Sequence, residues 1–390
     1  MKRKLAAISM CAVLIGAMTA GCSGTSSESA TSKESASASS QASSASSQEA
    51  SSLDGDSSIK SYNFAGDIVG QGAAALDDLV DEESYIFNSM NSKFQIYNDN
   101  FTADTQGTNV QTMASSGYDG MMIFGWNATL YTTINDISST ASVPYVIFDQ
   151  IPQDQEVIDQ LSMNQYYVGS VGVDNYSGAG VAAQEMYDAG ITKVILVGGS
   201  VGDVVHDSRE KGFTEKFEEL GGEVLGVARC SDPSEATTKT DDLLSAYPDA
   251  QGAYCFTGDY AVSALSALDN YSSLDLKVYC SDTTAESIPY IIDGSIVRGD
   301  SGSKIAAILA ATLLYNYANG NPILDEEGNA PLFNNIVSFT VDASNAQEYD
   351  DKFLSGHPFT AEGIQEFIQE DVTYQTYVDY ISEFSMDTLK

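Results

Sequence analysis

The sequence predicts an α/β protein in which parallel strands and helices alternate over two successive rounds. Three observations carry this. Short runs of apolar, β-branched and aromatic residues recur, among them 120–124 (GMMIF), 144–148 (PYVIF) and 193–197 (KVILV), separated by stretches with helical periodicity. The runs are apolar almost throughout, as expected of strands covered by helices on both faces. No hairpin signal joins any two of them, so the connections are right-handed crossovers in a parallel sheet.

The clearest unit is 166–213. Tyr166–Val171 reads as a strand, and Asp174 to Gly178 as turn and cap residues. Ala179, Ala182, Ala183 and Met186 fall on one helix face, and Gly190 stops that helix. Lys193–Val197 is the next strand. The glycine loop 198–202 then leads into a helix carrying Arg209 and Phe213. Polar residues gather at the C-terminal ends of these strands, where open α/β sheets bind ligands.

Before this unit, strands are expected at 61–65, 94–97, 120–124 and 144–148, with helices at 73–90, 102–116 and 128–141. After it, strands are expected at 223–228, 252–256, 277–280 and 296–298, and helices at 234–246 and 260–269, the latter capped by Asp259. Ile305, Ile308, Leu309 and Leu313 mark the core face of a long helix. A turn-rich loop at 319–334, a late strand at 335–341 and a partly helical acidic tail complete the chain.

The chain has 390 residues, 43% of them hydrophobic, enough for two domains. The formal charge of −38 excludes a nucleic-acid backbone or an anionic membrane face as a partner. Residues 1–21 form a secretion signal, with Lys2, Arg3 and Lys4 before the apolar run 5–18 and small residues at its end. That run is short for a membrane span. Residues 22–59, rich in Ser and Ala, cannot build a core and read as a flexible tether, of r.m.s. span ~35 Å.

Val173-Asp174-Asn175, the segment 193–199 and Ser208-Arg209-Glu210-Lys211-Gly212-Phe213 resemble the type I periplasmic-binding-protein family, in particular the sugar-binding lipoproteins of ABC importers and the LacI-type sensor core. The likeness runs over roughly 60–340. Ala20-Gly21-Cys22-Ser23-Gly24 resembles the bacterial lipobox, with Thr19 where leucine is usual, which makes Cys22 the lipidated residue. The resemblance implies two doubly wound parallel-sheet lobes joined by a three-crossover hinge, with the ligand in the cleft. One lobe would be 60–172 plus 301–333, the other 173–300 plus 334–390. It further implies an anchored extracytoplasmic protein that closes on a small polar ligand, a sugar, and delivers it to an ABC permease. The alternatives within this fold are presentation to a sensor kinase or a secreted enzyme. A DNA-binding repressor is excluded by the export signal and the lack of a basic helix-turn-helix segment.

A sugar is held by groups with paired acceptors or donors and by aromatic faces against its C–H side. At the expected strand ends the resemblance assigns Asp149, Arg209 and Asp282 to ligand contact, with Phe256 and Asp259 from a phenylalanine-x-asparagine-aspartate pattern in which Gly258 replaces the asparagine. Gln150 follows Asp149 where the family often has arginine. Trp126, the one tryptophan, and Asn127 follow the GMMIF strand at the same edge, and Asp67 and Gln71 lie in or beside the first loop. Catalysis and cofactors find no support: no P-loop, Gly-x-Ser-x-Gly elbow or zinc-spaced cluster occurs, and His206 and His357 stand far apart. Cys230, Cys255 and Cys280 are an odd set, and Cys255 and Cys280 read as buried small residues rather than a bridge.

Overall fold

The computed structural model describes residues 59–390, Ala73 and Asp232 excepted. The signal, Cys22 and nearly all of the tether lie outside the described residues.

The chain runs β1 (Asn63–Ile68), α1 (Ala74–Ser89), β2 (Lys93–Asn98), α2 (Ala103–Ser115), β3 (Gly120–Phe124), α3 (Tyr131–Ala141), β4 (Tyr145–Asp149), α4 (Gln155–Ser162) and β5 (Tyr167–Val173). It continues through α5 (Asn175–Asp188), β6 (Lys193–Gly198), α6 (Val204–Glu219), β7 (Glu223–Arg229), α7 (Ala236–Ala246), β8 (Gly252–Cys255), α8 (Gly258–Leu268), β9 (Lys277–Cys280), α9 (Ile288–Ile292) and β10 (Ile296–Asp300). The last elements are α10 (Lys304–Ala318), β11 (Leu332–Ile336), β12 (Thr340–Asp342), α11 (Ala346–Tyr349), α12 (Ala361–Glu366) and α13 (Tyr374–Ser382).

Two six-stranded sheets result, in the orders β11-β5-β4-β3-β1-β2 and β12-β10-β9-β8-β6-β7. The orders match strand for strand, so each sheet is the core of one lobe and repeats the winding of the other. All pairs are parallel except β10 with β12. The middle strands β3, β4 and β8 are buried at every residue, which explains their uninterrupted apolar sequence. Cys255 and Cys280 sit opposite each other in register on β8 and β9, and with Cys230 they are buried free thiols.

The helix after each round swaps lobes. α5 follows β5 and packs on α6, and α10 follows β10 and packs on α1. Gly212 permits the first of these contacts, since a Cβ there would stand 2.2 Å from the Tyr176 carbonyl oxygen. The second pair is covered and the first is not. α12 lies on α1, and α13 lies on β11. Asn316 of α10 donates to the Phe367 carbonyl at 2.8 Å, and Phe333 stacks on Tyr374 and Tyr377. α10 is therefore buried along almost its whole length.

Three features depart from the sequence reading. The strand expected at 335–341 is two strands, one in each sheet, because the chain changes lobe between Ile336 and Thr340. Residues 334–390 do not remain with the second lobe: α11 packs on α9 and β12, whereas α12 and α13 return to the first. This makes a fourth crossing. Near it the Lys304 ammonium meets Asp78 (2.9 Å), Glu82 (3.6 Å) and the Phe353 carbonyl, while His357 stacks on Tyr85 and bonds Glu82 at 2.9 Å. Short helices α4 and α9 fill connections in which the sequence reading placed no element.

Candidate functional site

The fourth strand of each lobe leads to an aspartate. β4 ends on Asp149 at φ 71°, and Asp282 follows β9 at φ 48°. Left-handed backbone at a non-glycine residue costs about 1–3 kcal/mol and persists where the surroundings over-determine it. Aspartate tolerates it because its short side chain can bond locally. Both residues thus turn the chain sharply at the C-terminal edge of a sheet, facing the partner lobe. The two carboxylates influence each other electrostatically across the gap.

Their surroundings differ. Arg209, on α6, grips Asp282 in a fork, Nη1 to Oδ2 at 2.5 Å and Nη2 to Oδ1 at 2.8 Å. Its remaining N–H groups go to Asn175 Oδ1 (3.0 and 2.7 Å) and the Phe256 carbonyl (2.5 Å), so all five donors are occupied. Burial opposes the guanidinium charge, but Asp282 outweighs it and the Arg209 pKa is raised. Behind the pair, Asp300 accepts from the Asp282 amide at 2.8 Å, and buried Arg298 links Asp300 to Glu185 and Thr340. Asp149 has no ion-pair partner among the described residues. It is 8% exposed and accepts from the Ser303 hydroxyl. Its pKa is raised to about 6, first by burial and then by Asp282.

Around this pair the second lobe is braced by contacts that sequence reasoning missed. Arg229, the last residue of β7, holds Asp207, Glu210 and the carbonyls of Gly199 and Ser200, and its guanidinium lies over the Phe256 ring, 5.5 Å from the centroid. His206 accepts the Gly199 N–H on Nδ1, and burial brings its pKa down to about 4, so it is neutral near pH 7 with its proton on Nε2. The available signal was position alone: Arg229 ends a strand at the same sheet edge as Gly198.

In the first lobe, Trp126 is half-buried and donates its indole N–H to Asp99 at 2.9 Å, with Asn109 bonding the other Asp99 oxygen. Gly125 allows the tight approach of the β3 and β4 ends, since a Cβ there would fall 1.6 Å from the Gln150 carbonyl oxygen. Gln150 is half-buried beside it.

Other sequence candidates are occupied elsewhere. Asp67 is fully buried and accepts from the Phe124 amide (2.7 Å) and Gln106 (2.9 Å), tying β1 to β3 beneath the strand ends. Burial and then Asp99 raise its pKa well above the usual carboxylate range. Glu83 is buried behind it with both carboxyl oxygens unpartnered, and burial likewise raises its pKa well above the usual carboxylate range. Phe256 has no exposed surface. Asn127 caps a short turn by accepting from Thr129. Gln71 is exposed and bonds Asn98. Asp259 accepts from Thr284 at 3.0 Å, and the helix cap expected of it falls to Thr257, because α8 begins at Gly258.

Among the described residues no group of three or more His, Cys, Asp or Glu is arranged to hold a metal ion, and no helix is long and apolar enough to cross a membrane.

The profile of the periplasmic binding protein domain matches residues 69–322. No curated protein matches the chain. Among solved structures, an ABC transporter periplasmic solute-binding protein from Actinobacillus succinogenes 130z with bound D-allose is 15% identical, with a TM-score of 0.66 over 74% of this chain and 100% of the other. An ABC transporter solute-binding protein from Bacillus halodurans C-125 with bound myo-inositol is 18% identical, with a TM-score of 0.63 over 76% and 99%. The periplasmic binding component of an arabinose ABC transporter from Shewanella sp. ANA-3 is 13% identical, with a TM-score of 0.64 over 83% and 99%. At these identities the likeness is one of fold.

Proposed function

The chain belongs to the periplasmic binding protein domain family, an extracytoplasmic class of ligand-binding domains, and on that premise we propose that it captures a small polyhydroxyl ligand of the sugar class between its lobes and hands it to an ABC importer. The observation that carries this reading is the pair Asp149 and Asp282. Two carboxylates, one on each lobe, face one gap from equivalent strand ends, each with oxygens able to accept from a hydroxyl. A ligand bridging them binds both lobes at once and favours the closed form by the contacts that only closure makes. Trp126 supplies the apolar face for the C–H side of the ring. Solute-binding relatives with bound allose and inositol support the ligand class.

The remaining parts fit this role. The signal at 1–21, lipidation at Cys22 and the tether to 59 hold the protein on the outer face of the cell membrane within reach of a permease. The ligand leaves unchanged, so the protein is not an enzyme. Lobe closure is the whole of the work.

A thermal-shift screen of the purified protein against sugars, polyols, nucleosides and amino acids tests this. A ligand present at 100 times its dissociation constant adds ~2.7 kcal/mol of stability. A shift confined to polyhydroxyl compounds and lost in Asp149→Ala is expected. A shift with nucleosides or amino acids alone overturns the ligand class.

A further inference from the structure

The charges where the lobes meet do not cancel. Arg209 has all five donors engaged, Arg229 is held by Asp207, Glu210 and two carbonyls, Arg298 is paired behind Asp300, and Lys304 is paired with Asp78 and Glu82. On the first-lobe side Asp67, Asp99 and Glu83 back the strand ends in no ion pair among the described residues, but burial raises their pKa values and favours their neutral forms, so they do not add to the imbalance. One carboxyl, that of Asp149, is left over: more than nine-tenths buried, bonded to Ser303 and in no ion pair. A neutral sugar brings hydroxyls to this group but no compensating charge. A uronate or sugar phosphate adds another negative group beside Asp149, Asp282 and Asp203 and meets no free guanidinium.

We infer that the cleft is built for a polyhydroxylated ligand carrying a protonated amine, an amino sugar, with the ammonium group set against Asp149. This rests on the sugar-binding reading above and narrows it. Trp126 contributes a second attraction. Its indole N–H is given to the Asp99 carboxylate, which polarises the ring toward greater electron density on its face, the surface a cation prefers. The hydroxyls then fall to Gln150 and the outer lone pairs of Asp282.

The test is isothermal titration calorimetry of the purified protein with matched trios: glucosamine, glucose and glucuronate; galactosamine, galactose and galacturonate; mannosamine, mannose and mannuronate. In at least one trio the amine should bind roughly tenfold or more tighter than its neutral parent, and the uronate should not bind. Asp149 is flanked by Asp282, Asp203, Arg209 and Tyr131, and its pKa near 6 places its protonation between the two test conditions. From about pH 7 to about pH 5 the amine's affinity should fall roughly tenfold as the carboxylate is neutralised. His206, with a pKa brought down to about 4, stays neutral throughout. Asp149→Asn should erase the preference for the amine while the melting temperature shows the fold intact. A neutral parent that binds as tightly as its amine overturns the inference and leaves the sugar reading standing. Silence from every trio overturns the amino-sugar inference, while the wider screen above decides the sugar reading on its own.

Discussion

Asp149 and Asp282 occupy the same point in two lobes of matching strand order and share a left-handed backbone, yet Arg209 clasps Asp282 in an ion pair and acts on Asp149 only from a distance. The repeated winding supplies two equivalent stages, and what stands on each is decided by side chains arriving from elsewhere. In the second lobe Arg209, Asn175, Asp300 and Arg298 hold Asp282 rigid. In the first, Asp149 keeps a buried carboxyl that no ion pair holds among the described residues. One aspartate is braced by an ion pair, and the other is not.

Removing the brace tests the comparison most severely. Arg209→Ala leaves half-buried Asp282 beside Asp300 without its fork, and since only the arginine side of the pair is buried the cost falls below the roughly 3–5 kcal/mol of a fully buried pair. A large drop in melting temperature is expected. A drop no greater than that of an exposed substitution would mean that the fork is ornamental and the two aspartates are alike.

Asp149→Asn should act in the opposite direction. The folded chain holds the Asp149 proton more tightly than an unfolded one, so this residue favours folding below the ordinary carboxylate range. That contribution is lost as pH rises from about 4 through about 6, after which the buried charge costs on the order of 3 kcal/mol. The substitution should therefore stabilise the unliganded protein near pH 8 and do little near pH 4. Melting temperatures that move in parallel at both pH values would remove the asymmetry.

Trp126→Phe keeps an aromatic face but deprives Asp99 of a donor, for an expected cost of about 1–2 kcal/mol. Denaturant titration measures it, and an unchanged midpoint would show that the indole N–H contributes nothing. The smallest effect is expected from reductant. Cys230, Cys255 and Cys280 are free and buried, so dithiothreitol should leave the melting curve where it is, and a downward shift would reveal a bridge.

How much of this was readable beforehand follows from physical range. The strands were legible because both faces are buried and each forms a local apolar run, as in 120–124 and 144–148. The positions of Asp149, Arg209 and Asp282 were legible from short motifs at strand ends. Their pairing was not: Arg209 reaches its partners 34, 47 and 73 residues away, and no local pattern encodes which of its donors remain free. Asp67 looked like a loop-facing acid because burial to zero exposure depends on Gln106 and the Phe124 amide, both distant in sequence. The tail misled for the same reason. Its sequence reads as a partly helical acidic tail of the second lobe, while Phe359, Phe367, Tyr377 and Tyr380 form a ring cluster that faces inward on the first lobe.

That tail also sets an order of assembly. The parallel strands of the second lobe and the helices between them lie within one continuous stretch, 193–300, whereas the first lobe needs strands from residue 63 to residue 336 and a cover that ends at Lys390, whose carbonyl accepts from the Thr360 amide. That connectivity runs against the usual N-terminal-first order of folding during synthesis. The lobe that begins the chain can seal its core only once α12 and α13 have emerged, while the later lobe has all its parallel strands by residue 300 and lacks only the edge strand β12 and α11.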